Sequence, residues 1–277
     1  MGQDDLVCLQ HVTKAYRRLG MKPCLAVDDV TLALKAGVIT GLVGESGSGK
    51  TTVGKLLYRD LAPDSGSILF EGTDVSKIRG RRLKDYRRQV KMVNQRPAEA
   101  FDKRYTMGHN AREHLRNAGM DAEDAMRVAR DFFEMCGVSE EEMTKFASEV
   151  SAGTAQRAAL AMAMETRPRL LICDEVMSGL DTSQQARVME ILKVYEKEVK
   201  GAVLYISHNI DLVSRLCGEI IVMQEGRVIE AGPTEEVMKN PQADFTKRLI
   251  RDSRPEALVM RRRGRRMSDL FKVDTTQ

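Results

Sequence analysis

Eight consecutive residues, Gly44-Glu45-Ser46-Gly47-Ser48-Gly49-Lys50-Thr51, constrain this chain more than any other stretch. They fit G-x-x-x-x-G-K-[ST], the pattern of a phosphate-binding loop. Gly44, Gly47 and Gly49 lack a Cβ, so the backbone can turn left-handed and approach a phosphate closely. Successive N–H groups then converge into an anion-binding nest. In such a loop Lys50 reaches the β- and γ-phosphates, and the Thr51 hydroxyl meets Mg²⁺. The flanks agree. Residues 38–43 (VITGLV) read as a buried strand entering the loop, and 51–57 (TTVGKLL) as the helix leaving it, its positive end toward the phosphates. A strand, loop and helix in that order predict an α/β fold.

Of the 277 residues, 42% are hydrophobic and 30% charged, enough apolar mass for a large core. The net charge of +4 is too small to argue for nucleic acid. Cys8, Cys24, Cys136, Cys173 and Cys217 show no C-x-x-C spacing. They read as reduced thiols of a cytoplasmic protein, not as a metal cluster or disulfide framework. His109 and His114 are five positions apart, on different faces of a helix, which argues against a shared metal. The methionines are read as core filling. No apolar run is long enough to span a membrane. The acidic start, Met1 to Leu6, lacks a signal-peptide core and a Ser or Thr for myristoylation. Work at a membrane then means docking to another subunit.

Along the chain, residues 6–9 and 30–34 read as strands, with Tyr16 between them in a polar turn. An aromatic there either stacks on a nucleobase or packs at a strand edge. Residues 68–70 and 90–93 are further strands, separated by a run dense in Lys and Arg from Arg79 to Arg88. That run reads as a solvated helix face, since no aromatics are interleaved for a nucleic acid to stack on. Gln95 ends the second of these strands. From Pro97 to about Arg167 the pattern is helical, clearest at 122–135. Ser151-Ala152-Gly153 opens another helix and is a second anion site in waiting.

The buried strand 170–173 ends in Asp174 and Glu175, which suggests one Mg²⁺-associated carboxylate and one that positions water. Ser178 to Asp181 is a turn. The strand 202–207 places His208 at its carboxyl end, where open α/β sheets hold ligands. Residues 220–223 and 227–230 form a hairpin. Residues 240–277 read as a polar tail carrying a basic block, Arg261 to Arg266, which is either solvated or binds an acidic partner or anionic lipid.

In this order the motifs resemble the nucleotide-binding subunits of ATP-binding-cassette (ABC) transporters, across nearly the whole chain. The resemblance is strongest to the oligopeptide, dipeptide and nickel importers. It implies a P-loop NTPase (RecA-like) core with an N-terminal antiparallel β subdomain and an inserted helical subdomain. The ATPase domain would span 1–239, with the helical insertion at about 97–167 and the tail at 240–277. Residue by residue it implies that Gly44, Glu45, Ser46, Gly47, Ser48, Gly49, Lys50, Thr51 and Thr52 form Walker A. Tyr16 becomes the adenine-stacking aromatic. Gln95 contacts Mg²⁺, as do Thr51 and Asp174. Glu175 is the general base, His208 senses the γ-phosphate, and Asp181 belongs to the D-loop. Ser151 and Gly153 belong to the signature.

That signature departs from Ser-Gly-Gly-Gln. Here it reads Ser151-Ala152-Gly153-Thr154, with Gln156-Arg157 retained. Val176-Met177 stands in place of Pro-Thr, and Arg96 in place of an acid. In the family dimer each ATP lies between one subunit's Walker A and the other's signature. The expected assembly is therefore a heterodimer with a different ATPase subunit, in which the site built on this signature is slow. ATP and Mg²⁺ are the expected ligands. The expected partners are that second ATPase and membrane permease subunits, at the inner face of the membrane. The alternative is a soluble accessory ATPase of a multi-subunit enzyme, such as a carbon–phosphorus lyase or a metalloenzyme activation system. No specific nucleic-acid partner is expected.

Overall fold

The computed structural model describes residues 5–16 and 24–253. The basic block at 261–266 and the N-terminal start lie outside them. The ten strands of the described residues form two sheets. The smaller is antiparallel, built from β1 (Asp5–Tyr16), β2 (Cys24–Lys35), β4 (Ser65–Phe70) and β5 (Thr73–Asp74) in the order β2-β1-β4-β5. The larger holds β3 (Ile39–Val43), β6 (Val90–Val93), β7 (Leu170–Asp174), β8 (Ala202–Ser207), β9 (Glu219–Gln224) and β10 (Arg227–Pro233). Its order is β10-β9-β3-β8-β7-β6, parallel throughout except for the β10 edge. The phosphate loop thus leaves the strand between β9 and β8, near the middle of the sheet.

Two-sided burial explains the apolar runs of β3, β7 and β8, as parallel strands require. Alternate residues face opposite cores. Leu170, Ile172, Leu204 and Ile206 pack toward the antiparallel sheet and the helix α1 (Lys50–Leu57). Leu171, Cys173, Val203 and Tyr205 pack into the second core, shared with most of the remaining helices. After α2 (Gly80–Gln89) and β6 come a 3₁₀ turn at Pro97–Ala100 and the helices α3 (Met107–Asn117), α4 (Ala122–Met135), α5 (Glu140–Met143) and α6 (Ala152–Met164). These elements lie between β6 and β7. Asp121 caps α4, Ser139 and Glu142 close a capping box on α5, and Ser151 caps α6. The helices α7 (Thr182–Val199) and α8 (Ile210–Leu216) separate the last strands, and α9 (Thr234–Lys239) follows β10.

The structure departs from the sequence reading in three places. Tyr16 is not in a turn: it is the last residue of a twelve-residue β1, paired with Cys24. Gln95 does not end β6 but lies two residues beyond it, in a loop. The tail begins as a further helix, α10 (Asp244–Ser253), whose Phe245, Thr246 and Ile250 are buried against the core beside α8. Among the described residues, no helix is long and apolar enough to cross a membrane.

Candidate functional site

The phosphate loop is held from outside itself. A Cβ on Gly44 would stand 2.2 Å from the Met223 carbonyl, and one on Gly49 2.1 Å from the Ala26 carbonyl. Gly226 N–H, in the β9–β10 turn, donates to the Ser48 carbonyl at 3.1 Å. Gly47, with φ 86°, has nothing within 4 Å of its missing Cβ. The loop therefore leans on β2 and on the β9–β10 turn, and presents its open side at Gly47. Gly49 N-caps α1 with φ 103° and no side-chain cap, so the first N–H groups of that helix carry no capping oxygen.

This difference in space separates two substitutions. Gly49→Ala meets both the left-handed φ and a backbone oxygen. The combined cost is about 3 kcal/mol, a fall in thermal midpoint of about 6–12 °C for a chain this long. Gly47→Ala meets the φ alone and is expected to lose less than half as much. A thermal melt of both variants checks this, and equal losses would show that the Ala26 contact is not what holds Gly49.

Lys50 is buried, its Nζ donating at 2.8 Å to the carbonyls of Gly44 and Glu45, with Ser48 Oγ at 3.4 Å. Burial pulls its pKa down, and the carboxylates of Glu175 and Asp174 pull it up. Those carboxylates arrive from the carboxyl end of β7. Asp174 is buried and its Oδ1 has no hydrogen-bond partner. Burial raises its pKa, while the hydrogen bond from Thr51 and the charge of Lys50 hold it down. An orphaned carboxylate oxygen beside a threonine hydroxyl is a hard-oxygen set that suits Mg²⁺. Among the described residues no three His, Cys, Asp or Glu converge on one point. A cation here must complete its shell with phosphate and water oxygens, which is the habit of Mg²⁺.

Glu175 follows with φ 54°, a conformation costly for a residue with a side chain and concentrated at functional sites. Its N–H donates to the Ile206 carbonyl of β8 at 3.0 Å. That bond turns the carboxylate toward His208, at the end of the same strand. Oε1 accepts from the His208 backbone N–H at 2.9 Å and lies 2.7 Å from Nδ1. With Nδ1 donating to a carboxylate, a neutral ring leaves Nε2 as an acceptor. Thr52 is buried behind the loop, and the Tyr16 hydroxyl lies 3.5 Å from its Oγ1. Tyr16 as a residue is 42% exposed, open to a stacking ligand.

Gln95 is exposed in the loop after β6, and the adjacent Arg96 pairs with Glu99 at 3.0 Å. Val176 and Met177 are buried in the second core. Asp181 caps α7 by accepting from the N–H groups of Ser183 and Gln184. Ser151 and Gly153 start α6, which packs against α4, β6 and α7. There the Ser151 hydroxyl donates to Thr154 Oγ1 at 3.0 Å while accepting from the Thr154 N–H. Thr154 in turn donates to Glu142 Oε1 at 3.2 Å. The single proton of the Ser151 hydroxyl is thus directed into its own helix. Sequence reasoning overlooked Glu142, Ala26, Met223 and Gly226. Their contacts cross long sequence separations and leave no local pattern.

A family model described as ABC transporter matches residues 27–178. The probable peptide ABC transporter ATP-binding protein y4tS of Sinorhizobium fredii is 33% identical over 254 residues, covering 89% of this chain and 72% of its own length. The oligopeptide transport ATP-binding protein OppF of Lactococcus lactis is 34% identical over 251 residues, covering 90% and 78%. Among solved structures, the dimeric bacterial cassette MJ0796 aligns with TM-score 0.76 at 24% identity, over 82% of this chain and 98% of that one. The cbiO1 protein of Clostridium perfringens aligns with TM-score 0.76 at 24% identity, over 94% and 100%. These two share the fold.

Proposed function

The chain belongs to the ABC transporter family, and from that premise we propose that it is the ATP-hydrolysing subunit of a peptide-type importer. The observation that carries the reading is the meeting of Lys50, Asp174 and the Glu175–His208 pair at the carboxyl ends of β3, β7 and β8. The names of the relatives, peptide and oligopeptide transport ATP-binding proteins, support an importer over an accessory enzyme subunit. The chain would then sit at the inner face of a membrane by docking to permease subunits.

The residues divide the work as follows. Tyr16 stacks the base. The N–H groups of residues 44 to 52, with Lys50, hold the β- and γ-phosphates. Thr51, Asp174 and Gln95 hold Mg²⁺, which when bound neutralises charge on the phosphate oxygens. Glu175 takes the proton of the attacking water. His208 reads the γ-phosphate. For Nε2 to donate to a phosphate oxygen while Nδ1 serves Glu175, the ring must carry both protons. Gln95 would reach the metal from the exposed loop after β6. We place the ATPase domain at 1–239 and the helical insertion at about 97–167, with α10 packed on the core of that domain.

We further propose a heterodimer. Ser151, Gly153 and Asp181 face the partner's nucleotide across the dimer, and Ser151 spends its proton on Thr154. Losing one such donor at a transferring phosphate costs about a hundredfold or more in rate. The purified chain alone is therefore expected to bind ATP and turn it over slowly. Ala152→Gly combined with Thr154→Gln frees the Ser151 hydroxyl and opens the backbone. Steady-state hydrolysis by the isolated chain should then rise about tenfold or more. Brisk turnover by the unaltered chain, unchanged in this variant, would leave the asymmetry without support. Loss of all hydrolysis in Glu175→Gln tests the ATPase reading separately.

A further inference from the structure

The turn between β9 and β10 has two central residues, Glu225 and Gly226, with φ of 48° and 83°. Positive φ at both centres is the tight form that suits a twisted hairpin. The hairpin pairs Gln224 with Arg227 across the turn and leaves the Gly226 N–H and carbonyl for outside partners. Each finds one. The Gly226 N–H donates to the Ser48 carbonyl of the phosphate loop at 3.1 Å, and the Gly226 carbonyl accepts from the Asp28 N–H of β2 at 2.9 Å. The turn is thus a bridge from β2 to the phosphate loop.

One ion pair fastens the bridge. Arg227, the first residue of β10, donates through Nε at 2.8 Å and Nη2 at 2.6 Å to Oδ2 of Asp28. The backbone N–H of that same aspartate is the one that holds Gly226. The partners stand 199 positions apart in sequence. The Asp28 side chain is only 22% exposed, so water competes for it less than for an open carboxylate. Charge-assisted bonds of this kind are about twice as strong as neutral ones.

The far end of the bridge reaches the phosphate site through peptide geometry. In a trans peptide the carbonyl and the following N–H share one plane and point opposite ways. Holding the Ser48 carbonyl on the turn therefore aims the Gly49 N–H away from the turn. Among the described residues that N–H has no protein acceptor. It directly precedes α1, at the end of the helix that favours an anion. A phosphate loop cradles the α- and β-phosphates with such N–H groups.

We propose that Arg227 and Asp28 are positioning residues for phosphate binding, acting through Gly226 and the Ser48–Gly49 peptide. The proposal rests on the reading that this loop holds a nucleotide. The Gly49 N–H serves phosphates that ADP and ATP share. Both nucleotides are therefore weakened alike when the pair is broken, and the chemical step is not.

Titration calorimetry of the full chain with Mg-ADP and Mg-ATP, beside single-turnover hydrolysis, tests this. Arg227→Ala should weaken both nucleotides about three- to tenfold, and leave the rate of bound ATP within about twofold of the unaltered chain. Arg227→Lys should recover about half of that loss or more on a logarithmic scale. Lys35→Ala is the control. It breaks the Lys35–Glu219 pair, which ties the same β2 to β9 away from the phosphate loop, and should change either affinity less than about twofold. Without nucleotide, amide exchange across residues 44–50 should quicken in Arg227→Ala and not in Lys35→Ala. Equal changes in these two variants would reduce the Arg227–Asp28 pair to general support and overturn the proposal. So would a loss confined to ATP. An unaltered chain that binds neither nucleotide would remove the nucleotide reading and the proposal together, whereas normal binding untouched by Arg227→Ala would remove the proposal alone.

Discussion

Glu175→Gln is expected to keep ATP binding and to slow hydrolysis by about a hundred- to ten-thousandfold, the usual contribution of a positioned general base. The amide has the shape of the carboxylate. Its oxygen can still accept from the His208 N–H that now lies 2.9 Å from Oε1. The left-handed backbone at φ 54° is as costly for Gln as for Glu, so the fold is expected to survive unchanged. What the amide cannot do is take a proton from water. Single-turnover hydrolysis of bound ATP by concentrated chain measures this even where steady-state turnover is slow. A rate within tenfold of the parent would assign the base to another group.

The second large effect is on binding. Lys50→Ala should weaken Mg-ATP binding about a hundredfold or more. A hydrogen bond to a charged group is worth about 1.5–3 kcal/mol. Two of them lost at the phosphates exceed the 2.8 kcal/mol or so that corresponds to a hundredfold in affinity. The ammonium is already placed, held by the Gly44 and Glu45 carbonyls within the loop. Its loss also removes the cation that offsets Asp174 and Glu175, and so moves the Asp174 carboxyl further up. Stability should change far less than affinity, because burying the ammonium carries its own desolvation cost. Titration calorimetry with Mg-ATP, beside a melt without nucleotide, separates the two. An affinity within threefold of the parent would place phosphate binding elsewhere.

Much of the site was legible because its parts are local. The loop pattern, the strand ahead of it and the helix behind it sit in one short stretch. The apolar runs of β7 and β8 end in Asp174 and before His208, and the α4 stretch repeats at helical spacing over its whole length. Where the reading missed, the controlling contacts were distant or the pattern broken. The strand β1 pairs through several register shifts, which interrupt the alternation that marks a strand and left Tyr16 looking like a turn residue. In α10 only a few residues are apolar, Phe245, Leu249 and Ile250, so its composition reads as a tail. The capture of the Ser151 proton depends on Glu142 receiving Thr154 in turn.

The carbonyls of Ala26 and Met223 leave no room for a methyl on Gly49 or Gly44, and two residues before Ala26 the same strand meets Tyr16. On the proposed reading the base platform and the phosphate cradle are therefore parts of one gauge, its length set by backbone before any nucleotide arrives. Such a gauge measures the distance from ring to β-phosphate and is indifferent to what lies past it. ADP and ATP would seat identically along it, and the chain would tell them apart only at the far end, by what reaches His208 and Glu175.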